Sequence, residues 1–234
     1  MNRPKTAEDP AGRQQRSWEA NASAWSGAVR ERRIPSRRAG TDRAVVDAVL
    51  QSGARRVLDL GCGEGWLARS LALAGCTVVG IDASAPLIDA ANAAGGATFA
   101  VMTYAELAAT LAMDAFDAVV FNFALLDEDL QAPLRAAHAR LRPHGTLIVQ
   151  TVHPWSARGD GPYADGWRLE TFAGFGDGFV EPMPWYFRTL DSWATVVDGA
   201  GFRIDRWNEP VHPATREPLS LLIRASRVDD GPSR

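Results

Sequence analysis

Cysteine, lysine and long hydrophobic runs are all scarce in this chain of 234 residues. Its two cysteines, Cys62 and Cys76, are too few and too irregularly placed for a disulfide framework or a zinc site. Both lie in apolar stretches, which predicts buried free thiols and a protein of the reducing cytoplasm. No hydrophobic run approaches the ~20 residues that a membrane span needs, so we expect no membrane partner.

Lys5 is the only lysine, so arginine carries almost all of the positive charge. The formal net charge of −3 argues against a nucleic-acid partner, which usually requires a basic face. Residues 1–16 are polar and lack the apolar core of a secretory signal, which predicts a disordered tail. The length suits a single domain over residues 17–234, as a monomer or a homodimer.

Residues 17–50 are predicted to form a helical cap in front of the main domain. Trp18, Asn21 and Trp25 are spaced by three and four residues, which places them on one helix face. A second helix is expected to begin at Thr41, a residue type that favours the N-cap position. The loop between these helices is rich in arginine, which indicates a solvated surface or a site that attracts an anionic substrate. The arginines of this loop are Arg30, Arg32, Arg33, Arg37 and Arg38.

From residue 55, short apolar strands alternate with helices as far as the strand before His153. Five such strands within about 100 residues predict βα units and a parallel sheet with helices on both faces. Ser84 and Thr189 are the predicted caps of two helices in this pattern. Two further strands after the second of these helices are predicted to form a hairpin at one edge of the sheet.

Residues 153–188 break this alternation and are rich in aromatic residues and glycine. The segment follows the fifth strand, which favours a structureless lid over the substrate, with a small satellite core as the alternative. For Arg188 an exposed surface position is the alternative to a substrate contact. The residues of this segment that we expect to contact a substrate are Trp155, Tyr163, Trp185, Tyr186 and Arg188.

The sequence VLDLGCGEGW joins the first strand to its helix, and Asp59 ends that strand. Glycines follow at positions 61, 63 and 65, where a chain that turns sharply or approaches a ligand closely needs them. A dinucleotide loop would require a further glycine at position 66, which holds Trp66, so the spacing disfavours a dinucleotide. A second acid, Asp82, ends the second strand, where a carboxylate can accept both ribose hydroxyl protons.

This loop resembles the first motif of the class I S-adenosylmethionine (SAM)-dependent methyltransferases, and the resemblance covers about residues 41–152. It implies that Asp59 and the glycines hold the amino-acid end of SAM and that Asp82 binds the ribose. The implied fold is α/β, a Rossmann-like doubly wound seven-stranded mixed sheet of order 3-2-1-4-5-7-6. Its last strand is antiparallel and helices cover both faces. The residues implied for the cofactor are Asp59, Gly61, Cys62, Gly63, Gly65, Asp82, Ala83, Thr103, Tyr104, Phe121 and Asn122.

The resemblance implies an enzyme that moves the methyl group of SAM to an O, N or C nucleophile of a small molecule by in-line displacement. The alternatives are a protein or nucleic-acid methyltransferase and a SAM-binding regulatory protein without catalysis. Nucleic-acid methyltransferases that act on exocyclic amines have prolines after the fourth strand, which the stretch from Asn122 to Leu125 lacks.

His153 is the predicted general base, because it follows the fifth strand at the sheet edge where ligands bind. Its imidazole has a suitable pKa for this role, and the alternative is a histidine that bonds the local backbone. His212 also precedes a proline and is a weaker candidate. Spacing gives no support to a metal site that joins His153, His212 and Asp127, so no metal is expected.

Overall fold

The computed structural model of this chain describes residues 9–110 and 115–228. Its helices are α1 (Pro10–Arg30), α2 (Asp42–Gln51), α3 (Trp66–Leu73), α4 (Ala85–Ala94), α5 (Tyr104–Ala109), α6 (Gln131–Arg140), α7 (Pro154–Ala157) and α8 (Leu190–Gly199). Its strands are β1 (Arg56–Leu60), β2 (Thr77–Asp82), β3 (Thr98–Val101), β4 (Phe116–Asn122), β5 (Leu141–Val152), β6 (Gly166–Glu170), β7 (Met183–Phe187), β8 (Phe202–Asn208) and β9 (Ser220–Arg227). No helix within these two ranges has the length and apolar character needed to cross a membrane.

Seven of these strands form one sheet in the order β3-β2-β1-β4-β5-β9-β8. The pairings among β1 to β5 are all parallel, whereas β9 is antiparallel to both β5 and β8. Because β6 and β7 pair in a separate small sheet, β8 and β9 are the sixth and seventh strands of the main sheet. The predicted order 3-2-1-4-5-7-6, with an antiparallel last strand, is therefore confirmed.

Both faces of the main sheet are buried because its central strands are apolar on each side. In β4, Val119 and Phe121 belong to one core, and Ala118 and Val120 belong to the other. Helices α5, α6 and α8 contribute to the first core, and α2, α3 and α4 contribute to the second. The two cysteines are free and buried, as predicted. Packing on both sides fixes the strand ends, and these ends carry the residues of the site.

The N-terminal segment is more ordered than its polar sequence predicts. Residues 10–16, which were expected in a disordered tail, form the first turns of α1. Asp9 is the N-cap, and its Oδ1 accepts a hydrogen bond from Ala11 N (3.4 Å). Pro10 occupies the first helical position, where its fixed φ favours the helix. Residues 1–8 of the expected tail lie outside the part of the chain that the structure describes.

The start of α2 also differs from the prediction. Thr41 has helical backbone angles, its side chain makes no capping bond, and it ends a π-helical turn that leads directly into α2. The carbonyl of Thr41 accepts a hydrogen bond from Gln150 Nε2 of β5 (3.0 Å). A contact with the sheet, which no local pattern reveals, therefore holds this boundary.

The segment 153–188 contains regular structure that its sequence did not reveal, and its role as a lid stays a prediction. It contains α7 and the antiparallel pair of β6 and β7, in which the Trp167 and Tyr186 rings lie 5.4 Å apart. Between these strands, Phe172 and Phe179 stack with ring centroids 4.6 Å apart, and Phe172 also contacts Trp18 of α1 (6.2 Å). Such aromatic pairs each stabilise by ~0.5–1.5 kcal/mol beyond simple burial. The segment and α1 thus share an aromatic cluster.

A buried asparagine joins α1 to the same segment. Asn21 Nδ2 donates to the Glu181 carbonyl (2.6 Å), and its Oδ1 accepts from Val180 N (2.8 Å) and Glu181 N (3.3 Å). Ser17, one turn earlier, donates its hydroxyl to the same Glu181 carbonyl (2.9 Å). Buried polar groups are tolerated only when they are paired, so these bonds determine how α1 docks on the segment.

Replacement of Asn21 by alanine should loosen this contact. The Asn21→Ala change leaves the amides of Val180 and Glu181 without their acceptor, at a cost of about 1–3 kcal/mol. We expect the free energy of unfolding to fall by this amount in a urea titration, and hydrogen exchange at residues 180 and 181 to accelerate. Ser23→Ala, at an exposed position of the same helix, is the matched control. Unchanged exchange at both amides in Asn21→Ala would contradict this account.

Candidate active site

A cavity of about 590 Å³ lies at the carboxyl ends of β1, β2 and β4. Open α/β sheets bind ligands at this edge. Asp59 and Asp82 line the cavity from the first two strands, and Asn122 lines it from the fourth. Residues of α1 and of the segment 153–188 complete its wall. The cavity is therefore enclosed by the two elements that the aromatic cluster and Asn21 hold together.

The loop after β1 turns through Gly61 and Gly63, both of which have positive φ (73° and 56°). Gly61 has no room for a side chain, because a Cβ there would lie 2.5 Å from Ala124 Cβ. The amides of Gly61 and Cys62 donate to the Ile81 carbonyl at 2.9 and 3.0 Å. These bonds attach the loop to the end of β2 and bring its backbone to the edge of the cavity.

Asp59 is buried, and its Oδ2 has no hydrogen-bond partner among the residues that the structure describes. Burial, and after it the negative charge of Asp82, raises the pKa of Asp59 from 3.8 to about 7. A buried carboxylate without a partner is costly unless a cation pairs with it. This position therefore favours a ligand with a positively charged group.

Asp82 is held by backbone amides on both of its oxygens. Its Oδ2 accepts from Gly63 N (2.9 Å) and its Oδ1 accepts from Ser84 N (2.8 Å). Burial raises the pKa of Asp82, and these two bonds partly oppose that effect. Ser84 stands at the N-cap position of α4, but its hydroxyl makes no capping bond, which corrects the prediction. Because a carboxylate has further acceptor positions, Asp82 can still accept hydroxyl groups of a ligand.

Thr103 and Tyr104 line the cavity at the start of α5. The Thr103 side chain is already engaged, because it forms a capping box with Glu106. Tyr104 is half-buried, and its hydroxyl donates to the Ala124 carbonyl (3.4 Å). Burial raises the pKa of Tyr104, so its phenol stays neutral. The ring of Tyr104 therefore offers a neutral aromatic contact to a ligand.

Most residues that the resemblance implies for the cofactor meet at this cavity. Cys62 lines it, but burial raises the pKa of its thiol, which keeps the sulfur protonated and unreactive. Two residues do not line it. Phe121 is in the core beneath the sheet, and a Cβ at Gly65 would lie 2.6 Å from Phe99, so Gly65 serves the packing of α3. Those that line the cavity are Asp59, Gly61, Cys62, Gly63, Asp82, Ala83, Thr103, Tyr104 and Asn122.

Of the five residues predicted to contact an acceptor, only Trp185 lines the cavity. Successive residues of a strand point to opposite faces, so Tyr186 faces away and pairs with its neighbour on β6. Trp155 and Tyr163 lie 6.4 Å apart at exposed positions. Arg188 is buried, contrary to the exposed alternative, and donates to two backbone carbonyls after β4.

His153 does not line the cavity, although its neighbours Thr151 and Val152 do. The ring of His153 is buried after β5, and its Nε2 lies 3.0 Å from Glu209 Oε1. Nδ1 of His212 accepts hydrogen bonds from amides of its own loop. Within residues 9–110 and 115–228, no group of three or more His, Cys, Asp or Glu side chains is placed to hold a metal ion. A role for His153 as general base remains a prediction that its position does not favour.

Helix α1 supplies cavity residues that the sequence did not single out. Gln14 Nε2 donates to the Leu126 carbonyl (2.9 Å), and Gln15 Nε2 donates to the Ala83 carbonyl (3.2 Å). These bonds tie α1 across the segments that follow β2 and β4. Both glutamines fall in the polar stretch that was predicted as a tail, so no local signal marked them.

The arginine-rich loop is not simply a solvated surface. Arg30 Nε donates to the buried carboxylate of Glu64 (3.0 Å). Arg37 lines the cavity, pairs with Asp42 (2.7 Å) and lies with its guanidinium 4.3 Å from the centre of the Trp66 ring. A buried carboxylate requires a counter-ion, which explains why Arg30 is drawn onto the domain.

Residues 57–145 match a family model that is described as a methyltransferase domain. This match covers β1 to the start of β5, and therefore includes the glycine loop and both acids. Together with the order of the seven strands, it confirms the resemblance. Residues 57–145 therefore form a methyltransferase domain, and the chain shares its fold with SAM-dependent methyltransferases.

Several known proteins resemble this chain. The structure of a SAM-dependent methyltransferase from Mesorhizobium loti aligns with a TM-score of 0.62 and 25% identity, over 80% of this chain and 99% of that one. The Burkholderia thailandensis 1,6-didemethyltoxoflavin-N1-methyltransferase, solved with 1,6-didemethyltoxoflavin and S-adenosylhomocysteine, shares the fold (TM-score 0.65, 20% identity, 98% and 94% covered). A ubiquinone biosynthesis O-methyltransferase of Brucella ovis is 34% identical over 103 residues, or 42% of this chain. The matched region spans only 41% of that relative's length.

The raised pKa of Asp59 predicts that folding stability depends on pH with a definite sign. The unfolded chain ionises this carboxyl near pH 3.8 and the folded protein only near about 7, so stability falls as the pH rises between these values. The full difference corresponds to about 4 kcal/mol. Asp59→Asn carries no such proton, so its unfolding free energy relative to wild type should increase from about pH 4 to about pH 7.

Urea titrations at several pH values across this range test the Asp59 effect. Asp89→Asn, at an exposed position of α4, is the control and should show no such trend. A difference between Asp59→Asn and wild type that stays constant with pH would show that Asp59 is already ionised in the folded protein.

Proposed function

We propose that this protein transfers the methyl group of SAM to a small-molecule acceptor. The observation that supports this most strongly is the pair of acids, Asp59 and Asp82, at the ends of adjacent strands, with a buried Asp59 oxygen that lacks a partner. SAM presents an ammonium group and two ribose hydroxyls, which suit these two carboxylates. The two pyrophosphate charges of a dinucleotide would be repelled by the same pair.

In this proposal each acid has a separate task. Asp59 accepts hydrogen bonds from the ammonium group and becomes ionised on binding, because a nearby cation opposes the effect of burial on its pKa. Asp82, already oriented by the amides of Gly63 and Ser84, accepts the ribose hydroxyl protons. Tyr104 lines the same cavity and offers its ring to the adenine.

When bound, SAM supplies a methyl group on a sulfonium that a nucleophile can displace in line. The chain contributes alignment of the reacting groups and exclusion of water. Gln14 and Gln15 support both tasks, because their bonds to the Leu126 and Ala83 carbonyls hold α1 across the strand ends. Methyl transfer to a small molecule requires little more from the protein when the acceptor is already nucleophilic.

The size and charge of the cavity support a small acceptor. Its volume of about 590 Å³ lies within the ~300–1,000 Å³ range of small-ligand sites. Nucleic acids bind broad basic grooves, whereas Arg37 is the one basic residue among the described residues that line this cavity. The name of the Burkholderia relative refers to methylation of 1,6-didemethyltoxoflavin, a small molecule that is present in its structure.

Calorimetric titration with S-adenosylhomocysteine, the demethylated product of SAM, tests the cofactor assignment. Wild type should bind it and should show little response to NAD. Asp82→Ala should lose about 1.5–3 kcal/mol of binding free energy, the range for hydrogen bonds to a charged group. Asp89→Ala, which removes an exposed carboxylate of α4, should bind normally. Equal affinity in Asp82→Ala, or a preference for NAD, would refute the assignment.

The position of His153 outside the cavity predicts that its replacement has little effect on turnover. Because the ring is paired with Glu209 and does not line the cavity, we expect His153→Asn to keep turnover within about threefold of wild type. A positioned base contributes ~10²–10⁴-fold, so the two cases are easily separated in a turnover assay with an active acceptor. A loss of that size, at unchanged affinity for S-adenosylhomocysteine, would restore His153 as the base.

A further inference from the structure

Seven aromatic side chains line the cavity apart from the residues assigned to SAM. They are Trp18, Trp25, Trp66, Phe123, Phe172, Phe175 and Trp185. Trp18 and Trp25 meet edge to face at 5.2 Å on α1, and Trp25 and Phe175 lie 5.9 Å apart. A Cβ at Gly63 would lie 3.7 Å from Trp25 Nε1, so this aromatic wall reaches the cofactor loop. The rings come from five separate parts of the chain and converge on one space.

Carboxylates outnumber basic groups in the same cavity. Besides Asp59 and Asp82, its lining includes Asp127, Asp129 and Glu170. Oε1 of Glu170 accepts a hydrogen bond from Phe172 N (2.6 Å), which places this carboxylate at the backbone of a residue of the aromatic wall. Across residues 9–110 and 115–228, no arginine, lysine or histidine forms an ion pair with Glu170.

Arg37 does not balance these charges. It is the one basic side chain among the described residues that line the cavity. Its charge is already compensated, because Nε pairs with Asp42 at 2.7 Å and the guanidinium lies 4.3 Å from the centre of the Trp66 ring. An anionic acceptor would therefore be repelled by carboxylates that have no basic partner, Asp129 and Glu170 among them, whereas a cation would be attracted.

Aromatic faces bind cations through their quadrupole, and quaternary ammonium groups are bound in aromatic cages of this kind. We propose that the acceptor of this enzyme is an amine, whose nitrogen lies between the aromatic wall and the Glu170 carboxylate. This inference rests on the proposed function, because it names the acceptor class of that reaction. The aromatic wall recognises the positive charge, and Glu170 supplies the opposite charge.

The reaction itself favours such surroundings. A protonated amine first releases a proton to water, because only the neutral nitrogen has a lone pair. That lone pair then forms the new N–C bond while the C–S bond breaks, and the bonding pair stays on sulfur. The positive charge of the sulfonium thereby moves to nitrogen, and an amine that carried a hydrogen then releases a proton to water. The aromatic wall and Glu170 stabilise the charge where it develops, which is the condition for lowering the barrier.

A matched set of probes tests this inference by binding alone. The cation 3-hydroxyphenyltrimethylammonium and the neutral 3-tert-butylphenol have the same shape and differ in the charge of one central atom. Both are titrated by calorimetry into protein saturated with S-adenosylhomocysteine. We expect the cation to bind about tenfold more tightly, the factor that a desolvated cation–π contact and one opposite charge supply. The anion 3-hydroxybenzenesulfonate should bind more weakly than either.

Two substitutions then locate the effect. Glu170→Gln keeps the acceptor for Phe172 N but removes the charge, so it should lower affinity for the cation about tenfold and leave 3-tert-butylphenol unchanged. Glu181→Gln makes the same charge change in the same segment at a position that does not line the cavity, and should alter neither. Affinity for S-adenosylhomocysteine, unchanged in both variants, confirms that they are folded.

The possible failures are distinguishable. If wild type does not bind S-adenosylhomocysteine, the proposed function itself is wrong. If it binds S-adenosylhomocysteine but shows no preference for the cation, through equal binding or through no binding of either probe, the amine assignment is overturned. Equal losses for both probes in Glu170→Gln would likewise overturn the role of its charge.

Discussion

The site depends on two carboxylates that are buried next to each other at the ends of parallel strands. Pairing of β1 with β2 sets Asp59 opposite Gly80, and the hydrogen bond from Gly63 N to Asp82 (2.9 Å) closes the glycine loop over that edge. Like charges in an apolar setting cannot both remain ionised unless a cation joins them. A nearby cation therefore lowers the electrostatic free energy of the two acids, which explains why a cofactor with a positive charge suits the loop.

The cover over these acids is built by elements far apart in sequence. Helix α1 lies across the strand ends through Gln14 and Gln15, and Asn21 fastens it to residues 180 and 181. The aromatic rings of the two elements pack against one another and also line the cavity. One set of side chains thus stabilises the cover and shapes the space beneath it, so changes in this cluster affect stability and ligand binding together.

The acidic side chains fall into two groups, those that bond other parts of the protein and those that line the cavity. Oε2 of the buried Glu64 pairs with Arg30 and Arg69, and Oδ2 of Asp117 accepts hydrogen bonds from the amides of Arg55 and Arg56. In the part of the chain that the structure describes, no basic side chain forms an ion pair with Asp59, Asp82, Asp129 or Glu170 of the cavity. Because these carboxylates have no basic partner, their negative potential acts on a ligand in the cavity.

The sequence alone determined the parallel βα units, the glycine loop and both acids, because each depends on residues that are close together in the chain. The order of the strands followed from the family resemblance of that loop. It also marked Trp18, Asn21 and Trp25 as one helix face. It did not show that α1 begins at Pro10, that Arg37 reaches the cavity or that Glu170 lies beside Phe172. It placed His153 at the correct sheet edge, yet the side chain pairs with Glu209, 56 residues later. Only tertiary packing decided these points, because the partners are distant in sequence. The hydrophobic periodicity that predicts helices and strands does not indicate which residue a polar side chain will bond.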